Sequence, residues 1–214
     1  MNTKFSSNNS PIKLYRHPIS GHCHRVELML SLLNLPYETI DIDLINGEHK
    51  APDFLKINPF GQVPAINDNG VILSDSTAII TYLDKKYNDG YEWFPQEPEK
   101  YAQVQHWLAI AAGEIAYGPC SVRLVKVFGM ELDWHVAEQI TQALFAVVEP
   151  LLSKNKYLAN NTLSLADVAA YSYIAHVPEG GVSLEPYPAI RAWLSRIEDH
   201  PRFIAMAASP LPSD

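Results

Sequence analysis

The hydrophobic pattern of this 214-residue chain changes near residue 90, and that change constrains the fold more than any other feature. Before it, short alternations of apolar and polar side chains, as found in strands, are interspersed with apolar residues that recur every three or four positions. After it, only the helical period remains. The sequence therefore predicts a small α/β domain followed by an all-α domain.

The first half has the order strand, helix, strand, irregular link, strand, strand, helix. Residues 12–15 form a short strand that ends before Pro18, and residues 39–44 alternate between polar and apolar side chains. A helical face lies between them, and the Asn-Asp-Asn-Gly sequence at residues 67–70 indicates a hairpin. A strand–helix–strand unit implies a parallel pair with a right-handed crossover. We therefore expect a βαβ–ββα domain.

The composition along the chain predicts the domain boundaries. Residues 1–10 form a polar tail rich in Asn and Ser, and residues 11–87 form the α/β domain. Residues 88–98 contain Pro and Gly and are typical of a linker. Residues 99–214 then form the helical domain.

Start signals predict several helices in the second half. The Ala-rich segment 99–116 favours one helix, and Asp133 precedes the three-and-four repeat of another. Ser164 and Asp167 have the spacing of a capping box at the start of a third. A final helix is expected over residues 188–199, which begin with proline.

Composition and charge exclude several classes of function. Lys and Arg number 16 against 24 Asp and Glu, giving a net charge of −8, and non-specific nucleic-acid binding requires the opposite balance. The 2 cysteines suit a reducing compartment. The tail has no apolar core of a signal peptide, and no apolar run approaches the ~20 residues of a membrane span. We expect a cytoplasmic protein with no nucleic-acid or membrane partner.

Three segments of the α/β domain have side chains suited to chemistry, each with a structural alternative. Ser20 can cap a helix, or help that helix end stabilise an anion such as a thiolate. The Val63-Pro64 bond can be an ordinary trans bond, or a cis bond that directs the backbone of Val63 into a cleft. Asp75 and Ser76 can cap the next helix, or bind the ammonium and carboxylate of an amino acid.

In this order, these segments resemble the glutathione transferase superfamily. The similarity covers residues 12–87 closely, and Gly47–Lys50 followed by Asn58–Pro64 is most similar to the phi class. The position of Ser20 resembles that of the serine in the phi and zeta classes, in a bacterial-type chain. The resemblance implies a thioredoxin-like N-terminal domain and an all-α C-terminal domain.

The resemblance also implies roles. Ser20 would donate its hydroxyl to the sulfur of glutathione, and the backbone of Val63 would pair with its cysteinyl part because Pro64 is cis. Asp75 and Ser76 would bind the γ-glutamyl group of glutathione. His49 and Lys50 would bind its glycine carboxylate, and Gln62 would contact its peptide backbone. Many classes carry Glu or Gln where Asp75 stands. The shorter Asp would either reach the ammonium from further away or share that contact with the partner subunit.

The implied activity is conjugation of the glutathione thiolate to a small, partly apolar electrophile, a detoxification reaction. Glutathione would be the co-substrate and no metal would be needed. The family is usually dimeric, so we expect a homodimer. Phe60 would then anchor the interface; the alternative is that its side chain packs inside its own domain. Four residues of the second half are candidates for the electrophile pocket: Trp107, Tyr117, Cys120 and Arg123. For Trp107 a place in the core is the favoured alternative.

Two other functions fit the same residues. Cys23 lies three residues after Ser20, near the same helix end, where a thiolate could carry out glutathione-dependent thiol–disulfide or peroxide reduction. The chain could also be a non-catalytic glutathione-binding or interaction module, since fold does not fix function. A metal site at His17, His22, Cys23 and His24 is disfavoured, because positions two apart on a helix diverge.

Overall fold

A computed structural model describes residues 10–88, 90–159 and 161–209. The chain forms two compact units, of which the first ends at Tyr91 and the second begins at Glu92. Apart from Ser10, the predicted polar tail lies outside the described residues.

The first unit contains one four-stranded mixed sheet in the order β2-β1-β3-β4. Its strands are β1 (Ile12–Arg16), β2 (Tyr37–Asp41), β3 (Ala65–Asp68) and β4 (Val71–Ser74). β1 pairs in parallel with β2 and antiparallel with β3, and β3 pairs antiparallel with β4. The parallel pair and the hairpin confirm the predicted strand order.

The helices of this unit follow the strands as predicted. They are α1 (Gly21–Leu32), α2 (Pro52–Leu55) and α3 (Ser76–Tyr87), with a 3₁₀ turn at Glu48–Lys50. The element order is therefore βαβ, a link with a short helix, and ββα. This is the α/β arrangement that the sequence predicts.

Helix α1 is buried on nearly all sides, which a single helical face does not predict. Its apolar residues Val26, Met29 and Leu30 are fully buried, as expected, but so are the polar His24 and Arg25. The helix connects the two paired strands of the βαβ unit along the chain, and it also packs against α3. Its position, and that of its N-terminus, is therefore fixed by packing on several sides.

Two strand boundaries differ from the prediction. β2 ends at Asp41, and the chain then turns at Leu44–Gly47, where the side chain of Asp43 accepts hydrogen bonds from Asn46. The apolar residues from Val63 to Ile66 predict a strand that opens at Val63, but β3 begins at Ala65. In both places, side-chain hydrogen bonds to the loop backbone replace ladder bonds.

The second unit is helical throughout. Its elements are α4 (Pro98–Ala112), a π-helical turn (Ala116–Cys120), α5 (Ser121–Phe128), α6 (Trp134–Leu152), α7 (Leu165–Ala175), a 3₁₀ turn (Val177–Gly180) and α8 (Pro188–Glu198). The helices predicted after Asp133, after Ser164 and over residues 188–199 are all present. By length and composition, the helical stretch from Pro98 to Phe128 could cross a membrane, although core helices of soluble proteins pass the same test.

The π-helical turn and α5 extend the predicted helix at residues 99–116. Pro119 lies inside the turn and has no N–H, so the ordinary helical hydrogen bond cannot form there. Gly118 lies against α6, where an added Cβ would come within 3.0 Å of the Thr141 backbone nitrogen. The proline and this close approach together account for the local change of helical pitch.

Asp167 is a buried carboxylate of the second unit whose two oxygens accept hydrogen bonds from several groups. The capping box with Ser164 is present, and Asp167 also accepts hydrogen bonds from the Leu158 backbone at 3.0 Å and the Trp193 indole at 2.9 Å. Asp167 and Ser164 are fully buried. One side chain thus joins the start of α7 to the preceding loop and to α8.

Replacing Asp167 with Ala should lower the free energy of unfolding by about 3–5 kcal/mol. The substitution leaves buried donors of Leu158, Ser164 and Trp193 unpaired, and each costs about 1–3 kcal/mol. Denaturant unfolding measures the change. The control is Asp133→Ala, which removes one exposed cap bond from α6 and should cost about 1 kcal/mol. Equal losses in the two variants would contradict this account.

Candidate functional site

Strand register brings the predicted site residues to one end of the sheet in the first unit. Ala65 of β3 lies opposite Tyr15 of β1 and Ser74 of β4, and Arg16 of β1 lies opposite Asp41 of β2. The loop that follows β1, the loop that precedes β3, the start of α3 and the loop that follows β2 therefore share this end. These four segments contain every residue for which a glutathione contact was predicted.

Ser20 is the N-cap of α1. Its side-chain oxygen accepts a hydrogen bond from the backbone N–H of Cys23 at 3.4 Å, and its backbone is extended. A hydroxyl can accept one bond and donate another, so capping and donation to a ligand are compatible. The positive end of a 12-residue helix lies at the same place.

Cys23 is unsuited to thiolate chemistry. Its side chain is 0% exposed, and its sulfur accepts a hydrogen bond from the backbone N–H of His17 at 3.4 Å. Burial raises the pKa of Cys23 to about 12, although hydrogen bonds from Ser20 and His17 act in the opposite direction. The redox alternative needs an exposed thiol of low pKa, and Cys23 has neither property.

The loop before β3 is organised by Asn58, which the sequence did not single out. This buried amide donates to the backbone carbonyl of Gln62 at 2.7 Å and accepts from the backbone N–H of Phe60 at 3.1 Å. The Val63-Pro64 peptide bond that follows is cis, as the sequence allows. Among the described residues, none outside the strand ladders pairs with the backbone N–H or C=O of Val63.

Gly61 allows two predicted contact residues to approach this loop. Its φ is +58°, and an added Cβ would lie 2.7 Å from the backbone oxygen of His49 and 2.8 Å from the Lys50 side chain. Lys50 donates to the carbonyl of Phe60 at 3.0 Å. His49 is half-buried, and the side chain of Gln62 is exposed. The 3₁₀ turn and the cis-proline loop are therefore neighbours.

Asp75 is the N-cap of α3. Its Oδ1 accepts from the backbone N–H groups of Thr77 and Ala78, both at 2.9 Å, and from the Thr77 hydroxyl at 2.6 Å. Burial raises its pKa, but these hydrogen bonds and the charge of Arg25 outweigh burial and lower it. Asp75 is therefore an anion at neutral pH. Its φ of 70° is rare for a non-glycine residue, and the cap bonds hold it there.

Ser76 is the first residue of α3 and is buried. Its hydroxyl oxygen accepts a hydrogen bond from Nη1 of Arg25 at 2.7 Å and lies 3.4 Å from Nδ1 of His22. Arg25 and His22 both lie on α1. Sequence reasoning missed Arg25 as a site residue. From its place in the first turn of α1, each of His22 and His24 is expected to be partly exposed, which holds for His22 but not for His24. His24 is buried, and burial followed by the charge of Arg25 lowers the pKa of His22 to about 3.

Three of the four electrophile-pocket candidates are buried within the second unit. Trp107, Cys120 and Arg123 are each 5% exposed or less, and Arg123 forms a 2.5 Å ion pair with Glu179. Tyr117 is 67% exposed. Spacing along a helix cannot tell the exposed side from the core side where a π-helical turn interrupts it. The part of the chain that the structure describes contains no group of three or more His, Cys, Asp or Glu side chains placed to hold a metal.

Comparison with models of known protein families shows which family this chain belongs to. Residues 14–96 match the model of the glutathione S-transferase N-terminal domain, and residues 133–201 match that of the C-terminal domain. The chain belongs to the glutathione S-transferase family. It is thus a transferase enzyme, and glutathione is the substrate that this family membership assigns to it.

Relatives of this transferase align over nearly its full length. Glutathione S-transferase 3 of Zea mays is 33% identical, covering 95% of this chain and 96% of its own. A glutathione S-transferase structure from Pseudomonas fluorescens has a TM-score of 0.85 at 32% identity, covering 92% and 99% of the two chains. A glutathione transferase homolog from Drosophila mojavensis, solved with bound glutathione, has a TM-score of 0.81 at 29% identity, covering 89% of each chain.

Proposed function

We propose that this enzyme conjugates glutathione to a small, partly apolar electrophile, with Ser20 as the hydrogen-bond donor to the thiolate. The observation that carries the proposal is the convergence of four loops at one end of the sheet, where each offers a group suited to one part of glutathione. The proposed site lies in the first unit. A cytoplasmic, detoxifying role that needs no metal is part of the proposal.

Ser20 would stabilise the thiolate, and the size of that effect can be bounded. A free thiol of pKa ~8.5 is about 3% ionised at pH 7, and lowering the pKa to ~6.5 gives about 75% thiolate. The shift corresponds to ~2.7 kcal/mol, which a charge-assisted hydrogen bond and a helix end can supply. The thiol of Cys23 is a weak acceptor, so a glutathione thiolate would compete well for the Ser20 proton.

A lower thiol pKa does not by itself explain a large rate enhancement. The fraction of thiolate rises about 25-fold, but lower basicity reduces nucleophilicity by roughly 6- to 10-fold over two pKa units. The net gain in reaction rate from the lower thiol pKa is therefore only a few-fold. Most of the acceleration would therefore come from holding the electrophile beside the sulfur.

The backbone of Val63 would hold the cysteinyl part of glutathione. Its N–H and C=O can pair with an extended peptide as a neighbouring strand does. Pro64 and the Asn58 bonds keep this loop in place, and the side chain of Gln62 is exposed beside it. These groups together would fix the sulfur relative to Ser20.

The two ends of glutathione carry charges that match the residues proposed to bind them. The γ-glutamyl ammonium would meet Asp75, which keeps Oδ2 outside its cap bonds, and the γ-glutamyl carboxylate would meet the hydroxyl and backbone N–H of Ser76. Lys50 uses one of its three N–H donors on Phe60, and the others can reach a glycine carboxylate beside His49. The proposal thus assigns a protein group to each charged end.

Replacing Ser20 with Ala should reduce the turnover number about 5- to 8-fold at pH 6.5. If the thiol pKa returns to ~8.5, the thiolate fraction falls about 50-fold, from about 50% to about 1%, while the more basic thiolate regains roughly 6- to 10-fold in nucleophilicity. The measurement is the rate of conjugation of an activated aryl halide at saturating glutathione. Ser20→Thr keeps the hydroxyl and should recover part of the lost rate.

Cys23→Ala is the matched control for the redox alternative. It should change the conjugation rate by less than about threefold, because the buried thiol takes no part in the reaction. A large loss in Cys23→Ala together with little loss in Ser20→Ala would overturn the proposal in favour of thiol chemistry at Cys23.

We also propose that the enzyme is a homodimer anchored by Phe60. This side chain is 77% exposed on its loop, so it is not packed within its own unit as the alternative required. An exposed aromatic ring of this kind is typical of an interface anchor. In a two-fold symmetric dimer, the Phe60 of each subunit would make the same contact with the other subunit.

Phe60→Glu should convert the dimer to a monomer in light scattering at micromolar concentration, because a charge would have to be buried at the interface. Ile45→Glu is the matched control, since Ile45 is 90% exposed in the same unit and is assigned no contact. It should leave the molecular mass unchanged. A monomeric wild-type protein would contradict the proposal.

A further inference from the structure

Ser76, Arg25 and His22 form a triangle of polar atoms below the proposed γ-glutamyl site. Nη1 of Arg25 is 2.7 Å from the Ser76 oxygen and 3.4 Å from Nδ1 of His22. The third side of the triangle, from Ser76 to His22, is also 3.4 Å. Two of the corners come from α1 and one from the start of α3.

The direction of these hydrogen bonds follows from the chemistry of arginine. A guanidinium donates and cannot accept, so Ser76 accepts from Arg25, and Nδ1 of His22 must present its lone pair. Nδ1 has one lone pair, and both Nη1 of Arg25 and the Ser76 oxygen lie 3.4 Å from it. At 3.4 Å the contact of Ser76 with His22 is also long for a hydroxyl donor. The Ser76 proton is therefore held weakly and can be given to a ligand.

The charges around Ser76 favour an anionic ligand. Arg25 is 1% exposed, so its positive charge is poorly screened by water. His22 is neutral, because burial and then Arg25 lower its pKa to about 3. Asp75 is a carboxylate that acts on His22, and its bonded oxygen faces the N–H groups of α3. The cationic Arg25 thus donates to the Ser76 oxygen from the buried side, and the anionic Asp75 is the neighbouring residue.

We propose that Arg25 and His22 are a positioning pair that keeps Ser76 a hydrogen-bond donor and so makes the site select a carboxylate over a neutral group. This inference rests on the proposed function, because it takes the γ-glutamyl end of glutathione as the ligand. Arg25 supplies the bond that occupies the Ser76 oxygen, and His22 accepts the second Arg25 proton. The Ser76 proton is then directed outward to the carboxylate.

The test compares two ligands by titration calorimetry. One is glutathione, and the other is its analogue with a primary carboxamide in place of the γ-glutamyl α-carboxylate. The wild type should bind glutathione about 10- to 100-fold more tightly, the range that a charge-assisted hydrogen bond supplies. A carboxamide is neutral and presents a donor as well as an acceptor, so it also reports the polarity of Ser76.

Arg25→Met should reduce this ratio of affinities to below about threefold. The substitution frees the lone pair of His22 to accept the Ser76 proton, which turns the hydroxyl inward. Arg25→Lys keeps a cationic donor and should restore most of the ratio.

The matched control is Arg16→Met. It removes a guanidinium from the same unit, one that pairs with Glu27 and Asp41 rather than with the site. Its ratio should equal that of the wild type. An unchanged ratio in Arg25→Met, or an equal loss of affinity for both ligands, would overturn the inference and leave Arg25 a structural role.

Where Arg25→Met does not fold, His22 provides the test. His22→Glu places a competing carboxylate beside Ser76 and Arg25 and should reduce the ratio to below about threefold, whereas the neutral His22→Gln should retain it. Equal ratios in these two variants would also overturn the inference. A wild type that binds no glutathione would refute the proposed function itself, whereas tight binding without the expected ratio refutes the inference alone.

Discussion

The pairing of β1 on both of its edges determines where the chemistry of this enzyme lies. β2 pairs with one edge in parallel and β3 with the other antiparallel, so the loop after β1 lies between the loop after β2 and the loop before β3. α1 continues from β1 and is buried along almost its whole length. Ser20 therefore has a fixed position, and the groups proposed to bind glutathione are arranged around it.

Burial separates the groups of the site that can react from those that cannot. Cys23 and His22 are both near Ser20 in the sequence; the side chain of Cys23 is fully buried and that of His22 is partly exposed. Burial raises the pKa of Cys23 to about 12 and lowers the pKa of His22 to about 3, so each is neutral at physiological pH. The sulfur that ionises at this site would then be that of glutathione.

Local sequence signals predicted the elements well and the contacts between distant elements poorly. The βαβ–ββα order, the cap at Ser20 and the capping box of Ser164 each depend on a few neighbouring residues, and all are present. The bond from Arg25 to Ser76 joins residues 51 positions apart, and no local pattern signals it. Cys23 shows the opposite error, because its place near a helix end favours a thiolate, while packing of the whole helix buries it.

The most direct test of the account is the pKa of the glutathione thiol bound to the wild type and to Ser20→Ala, followed by thiolate absorbance. The account predicts a pKa near ~6.5 in the wild type and a return toward the free value of ~8.5 in Ser20→Ala. An unshifted pKa in the wild type, or the same lowered pKa in both proteins, would contradict the role of Ser20 as the thiolate donor.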